Sequence, residues 1–413
     1  MFKFNNNDLF IEQVRLLDLV NKYKTSTYVY SKNKIIKNFE EYNKCLTEKN
    51  DSMICFACKA NSNKTILTLL ASLGAGADTT SGGEIYRCLQ AGFNPLKIVY
   101  AGVGKTNEEI EYALKNNILM FNVESEEELN AIDQIANKCR TKARIAFRIN
   151  PDVNPDTHSY IVTGSKETKF GIPYENAIKT YLNASKKKNI ILYGIHFHIG
   201  SQILDIEPFK LAGKKIKLII DNLKKHNIHI QYINCGGGLG IQYSKNDKNI
   251  ISKYQLMSVM FEIFGENNKF IFEPGRSILA DAGGLLIKVI YRKISGNKHF
   301  LITDAGMNDL IRPTLYGAHH DVIPITKTCI TNNVLTDIVG PICESGDFLA
   351  RNLNFPIVQQ GEILLIKDTG AYGASMSSEY NSRPKIAEVL IDGEKAILIR
   401  KRANYNDLLL NEL

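Results

Sequence analysis

The sequence predicts an α/β protein, a (β/α)8 barrel joined to a second all-β domain, and three patterns carry that reading. Eight short apolar runs rich in β-branched and aromatic residues alternate with amphipathic stretches over the first two-thirds of the chain. Strands separated by helices pair in parallel, because each crossover needs a helix. From about Ala280 the helical pattern gives way to strand-like runs alone. Polar and glycine residues also gather at the carboxyl ends of the first eight runs, where such barrels carry their active sites.

The expected barrel strands are 52–58, 75–79, 97–101, 119–124, 144–149, 192–197, 232–236 and 270–274. Two of the intervening helices open on capping boxes, Ser81-Gly82-Gly83-Glu84 and Ser125-Glu126-Glu127-Glu128, in which hydroxyl and carboxylate satisfy orphan backbone donors reciprocally. After the second box, Leu129, Ile132, Ile135 and Ala136 fall on one helical face. The connection from Asn150 to Ile172 is long and polar, with Pro151 and Pro155 blocking early helix formation, and reads as an active-site rim.

In the second domain Leu285–Tyr291, Phe300–Thr303, Glu362–Lys367 and Ala387–Ile391 read as strands. Asp392-Gly393 leads the last into Ala396–Ile399 through a turn that needs positive φ. The 413 residues exceed what one core usually supports. The expected division is a barrel over 31–279 and a β domain over 280–413, which the N-terminal segment 1–30 joins.

Composition excludes several classes. The formal charge is +8, but the lysines are scattered and the longest run is Lys186-Lys187-Lys188, so no nucleic-acid partner is expected. The bias only favours anionic small substrates by weak steering. The N-terminus lacks the apolar core of a signal peptide, and no apolar stretch approaches the about 20 residues that span a bilayer. A cytoplasmic protein without a membrane partner is expected. Cys55 and Cys58, three apart on one strand, would point to opposite faces, and the eight cysteines read as reduced thiols.

Lys59 ends the apolar run that starts at Met53, directly before Ala60-Asn61. A lysine delivered by a buried strand to a sheet rim is desolvated, which makes its amine nucleophilic and suits it to Schiff-base formation. The glycines of Cys235-Gly236-Gly237-Gly238-Leu239-Gly240 would let backbone N–H groups approach an anion, or simply make a tight turn. In Glu273-Pro274-Gly275-Arg276 the carboxylate can bond a protonated ring nitrogen and the arginine an anion, or the two can form a structural ion pair. His196 and His198 share one strand face, a spacing that also suits zinc, with a third ligand required from elsewhere. Ser201 resembles a phosphate contact. In Cys343-Glu344-Ser345-Gly346-Asp347 a thiol beside two carboxylates is expected to be a poor nucleophile that can still donate a proton; an ordinary loop is the alternative.

Lys59-Ala60-Asn61, His198 with Gly200-Ser201, Gly236-Gly237-Gly238, Glu273-Pro274-Gly275-Arg276, Cys343 to Asp347 and Tyr372-Gly373, in this order, resemble the pyridoxal-phosphate decarboxylases of the alanine-racemase-like fold. Arg312-Pro313-Thr314-Leu315-Tyr316-Gly317-Ala318 and Tyr380-Asn381-Ser382-Arg383-Pro384 are similar to that family's diaminopimelate branch, and the likeness covers nearly the whole chain. Departures are mild. Ser26-Thr27 precede Tyr28-Val29-Tyr30 where the family often has proline, a threonine stands for valine after Asp78, and His319-His320 have no assigned role.

The resemblance implies pyridoxal 5'-phosphate, with Lys59 as its Schiff-base lysine and Asp78, His198, Ser201, Gly237, Gly238, Glu273, Gly275, Arg276 and Tyr372 as further cofactor residues. It implies that Lys59, His198, Glu273 and Cys343 are catalytic, with Cys343 protonating the substrate carbon from the neighbouring subunit of a homodimer with shared sites. Arg276, Arg312, Tyr316, Glu344 and Tyr372 would hold an amino acid substrate. Ornithine-type relatives place an acidic residue after the tyrosine, where this chain has Gly317. Decarboxylation of meso-2,6-diaminopimelate to L-lysine is therefore expected, with another basic amino acid (ornithine, lysine or arginine) as the alternative. A pyridoxal-phosphate carrier and a zinc hydrolase remain as rivals, although no metal is expected.

Overall fold

The computed structural model describes residues 1–46, 51–154, 168–244, 247, 250–327 and 332–413. The chain divides into two compact units, one of Phe39–Ile241 and Asn249–Ser277, the other of Met1–Asn38, Gln242–Lys248 and Ile278–Leu413.

The first unit is a closed barrel of eight parallel strands: β1 (Met53–Ala57), β2 (Gly76–Thr79), β3 (Ile98–Tyr100), β4 (Met120–Val123), β5 (Ala143–Asn150), β6 (Ile190–His196), β7 (Tyr232–Asn234) and β8 (Lys269–Phe272). Each pairs with the next, and β8 pairs with β1 to close the ring. Every run expected as a barrel strand is one. Their continuous apolar character follows from burial on both faces, by helices outside and packed side chains within. One interior cluster joins Met53 and Cys55 of β1 to Val99, Met120, Ala146, Tyr232 and Ile271 on five other strands.

Both expected helix starts are present, with a shift in one half of each box. Ser81 and Ser125 accept from the Glu84 and Glu128 amides as expected. The carboxylates reach one residue further back, Glu84 to the Thr80 N–H at 2.7 Å and Glu128 to the Glu124 N–H at 2.8 Å. The second displacement has a visible cause: Glu128 also takes the buried Lys105 ammonium at 2.6 Å, which anchors it at the strand ends. Leu129, Ile132, Ile135 and Ala136 are buried together. Of the connection read as a rim, 155–167 lies outside the described residues; at its end, Ile172 and Pro173 pair with the end of β5.

The second unit is built on a mixed sheet. Its strands are β9 (Gly283–Ser295), β10 (Lys298–Thr303), β11 (Val322–Pro324), β12 (Asn333–Val339), β13 (Phe348–Pro356), β14 (Ile363–Lys367), β15 (Ala387–Asp392) and β16 (Lys395–Arg400). The N-terminal strand Thr27–Ser31 lies between β9 and β15, antiparallel to the first and parallel to the second. Leu9, Ile11, Val29, Leu286, Leu365, Val389 and Ile391 form its core. The Asp392-Gly393 turn joins β15 to β16, with Gly393 at φ +61°. Sequence reading missed β12 and β13, whose exposed polar positions interrupt the apolar runs.

No helix among the described residues is long and apolar enough to cross a membrane. The described cysteines are all free thiols. Cys55 faces the Lys97 carbonyl, and Cys58 lies 3.1 Å from Cys88 instead, so the two do not pair with each other.

Candidate active site

The carboxyl ends of the barrel strands bring the polar residues together. β1 stops at Ala57, and a single 3-10 turn, Cys58–Ala60, carries Lys59 over the rim. Its ammonium lies 3.0 Å from Asp78 Oδ2 near the end of β2. The expectation of a desolvated lysine needs correction, because the Lys59 side chain is 41% exposed and Asp78, at 1%, is the buried member of the pair. Burial and the nearby Glu273 charge push the Asp78 carboxyl up to about 7, against the pull of Lys59. Asp78 Oδ1 is buried and has no hydrogen-bond partner among the described residues.

Glu273 directly follows β8 and is 5% exposed. Asn234, the last residue of β7, donates to its Oε1 at 2.5 Å, Asn122 of β4 donates to the same oxygen at 3.3 Å, and His196 Nε2 stands 3.3 Å from Oε2. Burial alone would raise its pKa, but His196, Lys59 and the Asn234 amide outweigh it and hold the carboxylate well below the usual range. Glu273 therefore remains a fixed negative charge inside the barrel mouth. Sequence reading missed Asn122 and Asn234. Their signal is a polar residue inside an otherwise apolar buried strand, which needs a partner.

The two histidines have different surroundings. His196 ends β6 and faces Glu273, while His198 lies beyond the strand and accepts from the Gly237 N–H at Nδ1, 3.1 Å away. Burial, Arg148 and Lys59 hold His198 well below the usual imidazole range, so it is a neutral, flat ring. Among the described residues no group of three or more His, Cys, Asp or Glu is placed to hold a metal ion.

Close approach accounts for the glycines. A Cβ on Gly237 would meet the Glu273 carbonyl oxygen at 2.2 Å, and one on Gly238, where φ is +110°, the Gly200 oxygen at 2.6 Å. Ser201 receives Arg276 Nη2 at 2.9 Å, so a guanidinium and a hydroxyl stand together. The Gly238 and Gly275 amides find no acceptor among the described residues. Backbone donors, a hydroxyl and an arginine make a cradle for a phosphate dianion. With Lys59 for a carbonyl, Glu273 for a ring nitrogen and neutral His198 for a ring face, this donor set fits pyridoxal phosphate.

The remaining expected residues belong to the β unit. Arg312 and Tyr316 begin and end a short helix, Arg312–Tyr316, closed by Gly317 at φ +60°. Arg312 is 4% exposed, its guanidinium lies 4.7 Å over the Tyr243 ring, and Nη1 lies 2.7 Å from His320 Nε2. His320 Nδ1 lies 2.9 Å from the Lys367 carbonyl, which requires the Nδ1–H tautomer and leaves Nε2 to accept from Arg312. His320, unassigned from sequence, thus orients Arg312.

Thr314 donates to Gly346 at 2.6 Å and joins this helix to the Cys343–Asp347 loop. Cys343 and Glu344 are exposed, whereas Asp347 turns inward to accept the Met307 and Ile342 amides. Only one of the two carboxylates expected beside the thiol is presented. Tyr372 is held at φ +57°, rare for an aromatic residue and a common mark of functional positions.

Comparison with known proteins agrees with this chemistry. The family model described as the pyridoxal-dependent decarboxylase, pyridoxal binding domain, matches residues 32–280. The chain is 49% identical over 406 residues to a diaminopimelate decarboxylase of Aquifex aeolicus, covering 98% of this chain and 95% of that one. It is 42% identical to that of Vibrio cholerae, covering 98% and 96%. The fold is similar to that of the Helicobacter pylori diaminopimelate decarboxylase solved with L-lysine, with TM-score 0.91, 44% identity and coverage of 95% and 98%. The M. jannaschii enzyme in co-complex with L-lysine gives 0.94, 37% identity and coverage of 100% and 97%.

Proposed function

The chain belongs to the pyridoxal-dependent decarboxylases and, within them, to the diaminopimelate decarboxylases, and from that premise we propose that it converts meso-2,6-diaminopimelate to L-lysine and carbon dioxide, the last step of lysine biosynthesis. It is a pyridoxal-phosphate-dependent carboxy-lyase. The observation that carries this reading is the cluster of Lys59, Asp78, His198, Glu273 and the Ser201–Arg276 pair at one end of the barrel, in a chain nearly half identical to a named relative.

Bound there, the cofactor supplies a carbonyl for amines and a protonated ring that accepts the electron pair left by carbon dioxide. Lys59 is the residue we assign to hold it, and Asp78 orients the lysine through the 3.0 Å contact. Glu273, kept ionised by its neighbours, favours a protonated ring nitrogen. His198 packs against the ring face. Ser201, Gly237, Gly238, Gly275 and Arg276 take the phosphate, with Tyr372 on the phosphate or the adjoining substrate. Arg312, oriented by His320, reads the distal carboxylate together with Tyr316 and Arg276, and Glu344 takes the distal ammonium. Cys343 delivers a proton to the carbon that has lost its carboxylate.

A homodimer with shared sites is part of the proposal, Cys343 and Glu344 of one chain serving the barrel of the other. So are a cytoplasmic location, which suits free thiols, and the division of labour between a cofactor-binding barrel over 31–279 and a β domain over 280–413 with segment 1–30. The test is release of carbon dioxide by purified holoprotein from diaminopimelate, lysine, ornithine and arginine in turn. Diaminopimelate should be strongly preferred and should give lysine; preference for any of the others would overturn the substrate assignment.

A further inference from the structure

The β unit contains a cavity of about 330 Å³, within the size range of small-molecule sites, and every lining residue belongs to that unit. The charged groups on its walls are of both signs. Asp309 accepts the Gly306 N–H at Oδ2, and Asp304 accepts Ser26 and the Lys288 N–H at Oδ1. The second oxygen of each carboxylate finds no donor among the described residues. Asn308, 3% exposed, also lines the cavity, but its Oδ1 is buried away from it, without a hydrogen-bond partner among the described residues. The two carboxylates each keep one oxygen for a donor such as an ammonium.

Arg383 and Arg402 supply the opposite sign. Arg383 donates to the Asp304 carbonyl at 3.0 Å, and Arg402 to the Ser26 carbonyl at 2.7 Å and the Thr27 hydroxyl at 3.1 Å. Neither pairs with a carboxylate among the described residues, so each guanidinium keeps free N–H groups. Burial orders the charges: Asp309 is buried, Asp304 and Arg383 are half-buried and Arg402 is exposed. Burial raises the Asp309 carboxyl to about 7, against the pull of the Gly306 N–H and of Arg383 and Arg402. Two arginines balance two aspartates, so the matching guest is itself neutral overall, with a positive and a negative end.

We propose that this cavity is a binding site for a free α-amino acid as its zwitterion, the ammonium on Asp309 and Asp304 and the carboxylate on Arg383 and Arg402. Among the described residues no group of three or more His, Cys, Asp or Glu is placed there to hold a metal ion. The site uses Arg383 of the Tyr380–Pro384 stretch, which the barrel chemistry leaves unused. It takes a whole amino acid without changing it, and it stands or falls separately from the decarboxylase reading.

Equilibrium dialysis tests this on holoprotein reduced with borohydride, against each common L-α-amino acid at millimolar concentration, with acetate and methylammonium as the two half-ligands. At least one amino acid should bind once per chain in a portion that Asp309→Asn and Arg383→Gln each weaken roughly tenfold or more. Neither half-ligand should match it. Ile386→Trp, which fills the cavity and leaves the charges in place, should abolish the same portion and covers the case in which a charge variant fails to fold. No amino acid bound in a portion sensitive to Ile386→Trp, or binding equalled by acetate or methylammonium, would overturn the proposal.

Discussion

Replacing Asp78 by asparagine should make the protein more stable at neutral pH while impairing it as an enzyme. The Asp78 side chain is 1% exposed, and its carboxyl is pushed up to about 7 from its ordinary value of 3.8 by burial and Glu273. Between those values the folded chain keeps a proton that the unfolded chain has released. The stability this group contributes is therefore complete below its unfolded pKa and is lost as pH rises through about 7. That interval, at about 1.4 kcal/mol per pH unit, sets a limit of roughly 4 kcal/mol. Asparagine carries no such dependence and still presents an oxygen to Lys59. The lost ion pair offsets little, since the lysine is 41% exposed and water can solvate it. Urea midpoints of cofactor-free protein, followed by circular dichroism at pH 5 and pH 8, measure the effect. The variant should gain on the parent between the two by at most roughly 3 kcal/mol, the share of that limit that falls between pH 5 and about 7. An unchanged difference would refute the account of Asp78 as a carboxylate retained against its burial.

Three further outcomes follow from named contacts. Arg312→Ala should lose most discrimination between diaminopimelate and lysine, a cost of roughly 2–5 kcal/mol in kcat/KM for diaminopimelate, and His320→Phe should act in the same direction more weakly; equal turnover by parent and Arg312→Ala would count against the role. Glu124→Ala strands the buried Arg148, now 2.9 Å away, and removes the acceptor for the Gly171 amide, so it should destabilise the barrel by roughly 3–5 kcal/mol, with Glu124→Leu/Arg148→Met recovering most of that in urea melts. If sites are shared across a dimer, inactive Lys59→Ala and Cys343→Ala chains mixed after reversible dissociation should regain roughly a quarter of parental activity, and tagged, verified heterodimers without recovery would place both residues in one chain's site.

The barrel was legible because each of its strands is an apolar run and each crossover a helix with its own start signal. The register of polar residues past those strands also placed Lys59, Asp78, His198 and Glu273 at one end before any coordinates. Less legible was what depends on partners distant in sequence. Asn234 and Asn122 look like ordinary polar residues until Glu273 is seen between them. Lys59 reads as a buried amine from its apolar strand, whereas the turn Cys58–Ala60 lifts it partly into solvent and leaves Asp78 beneath. His320 acquires a role only through the Lys367 carbonyl, 47 residues away. In the β unit, β12 and β13 escaped because strands with one solvated face and polar interruptions lack a continuous apolar signal.

The central claim is that Lys59 carries the cofactor. Holoprotein is reduced with borohydride, digested, and the adduct located by peptide mass spectrometry. The account predicts the reduced cofactor on the peptide containing Cys58-Lys59-Ala60, with the adduct and the visible absorbance both absent from Lys59→Ala. An adduct on any other lysine, with Lys59 unmodified, would contradict it.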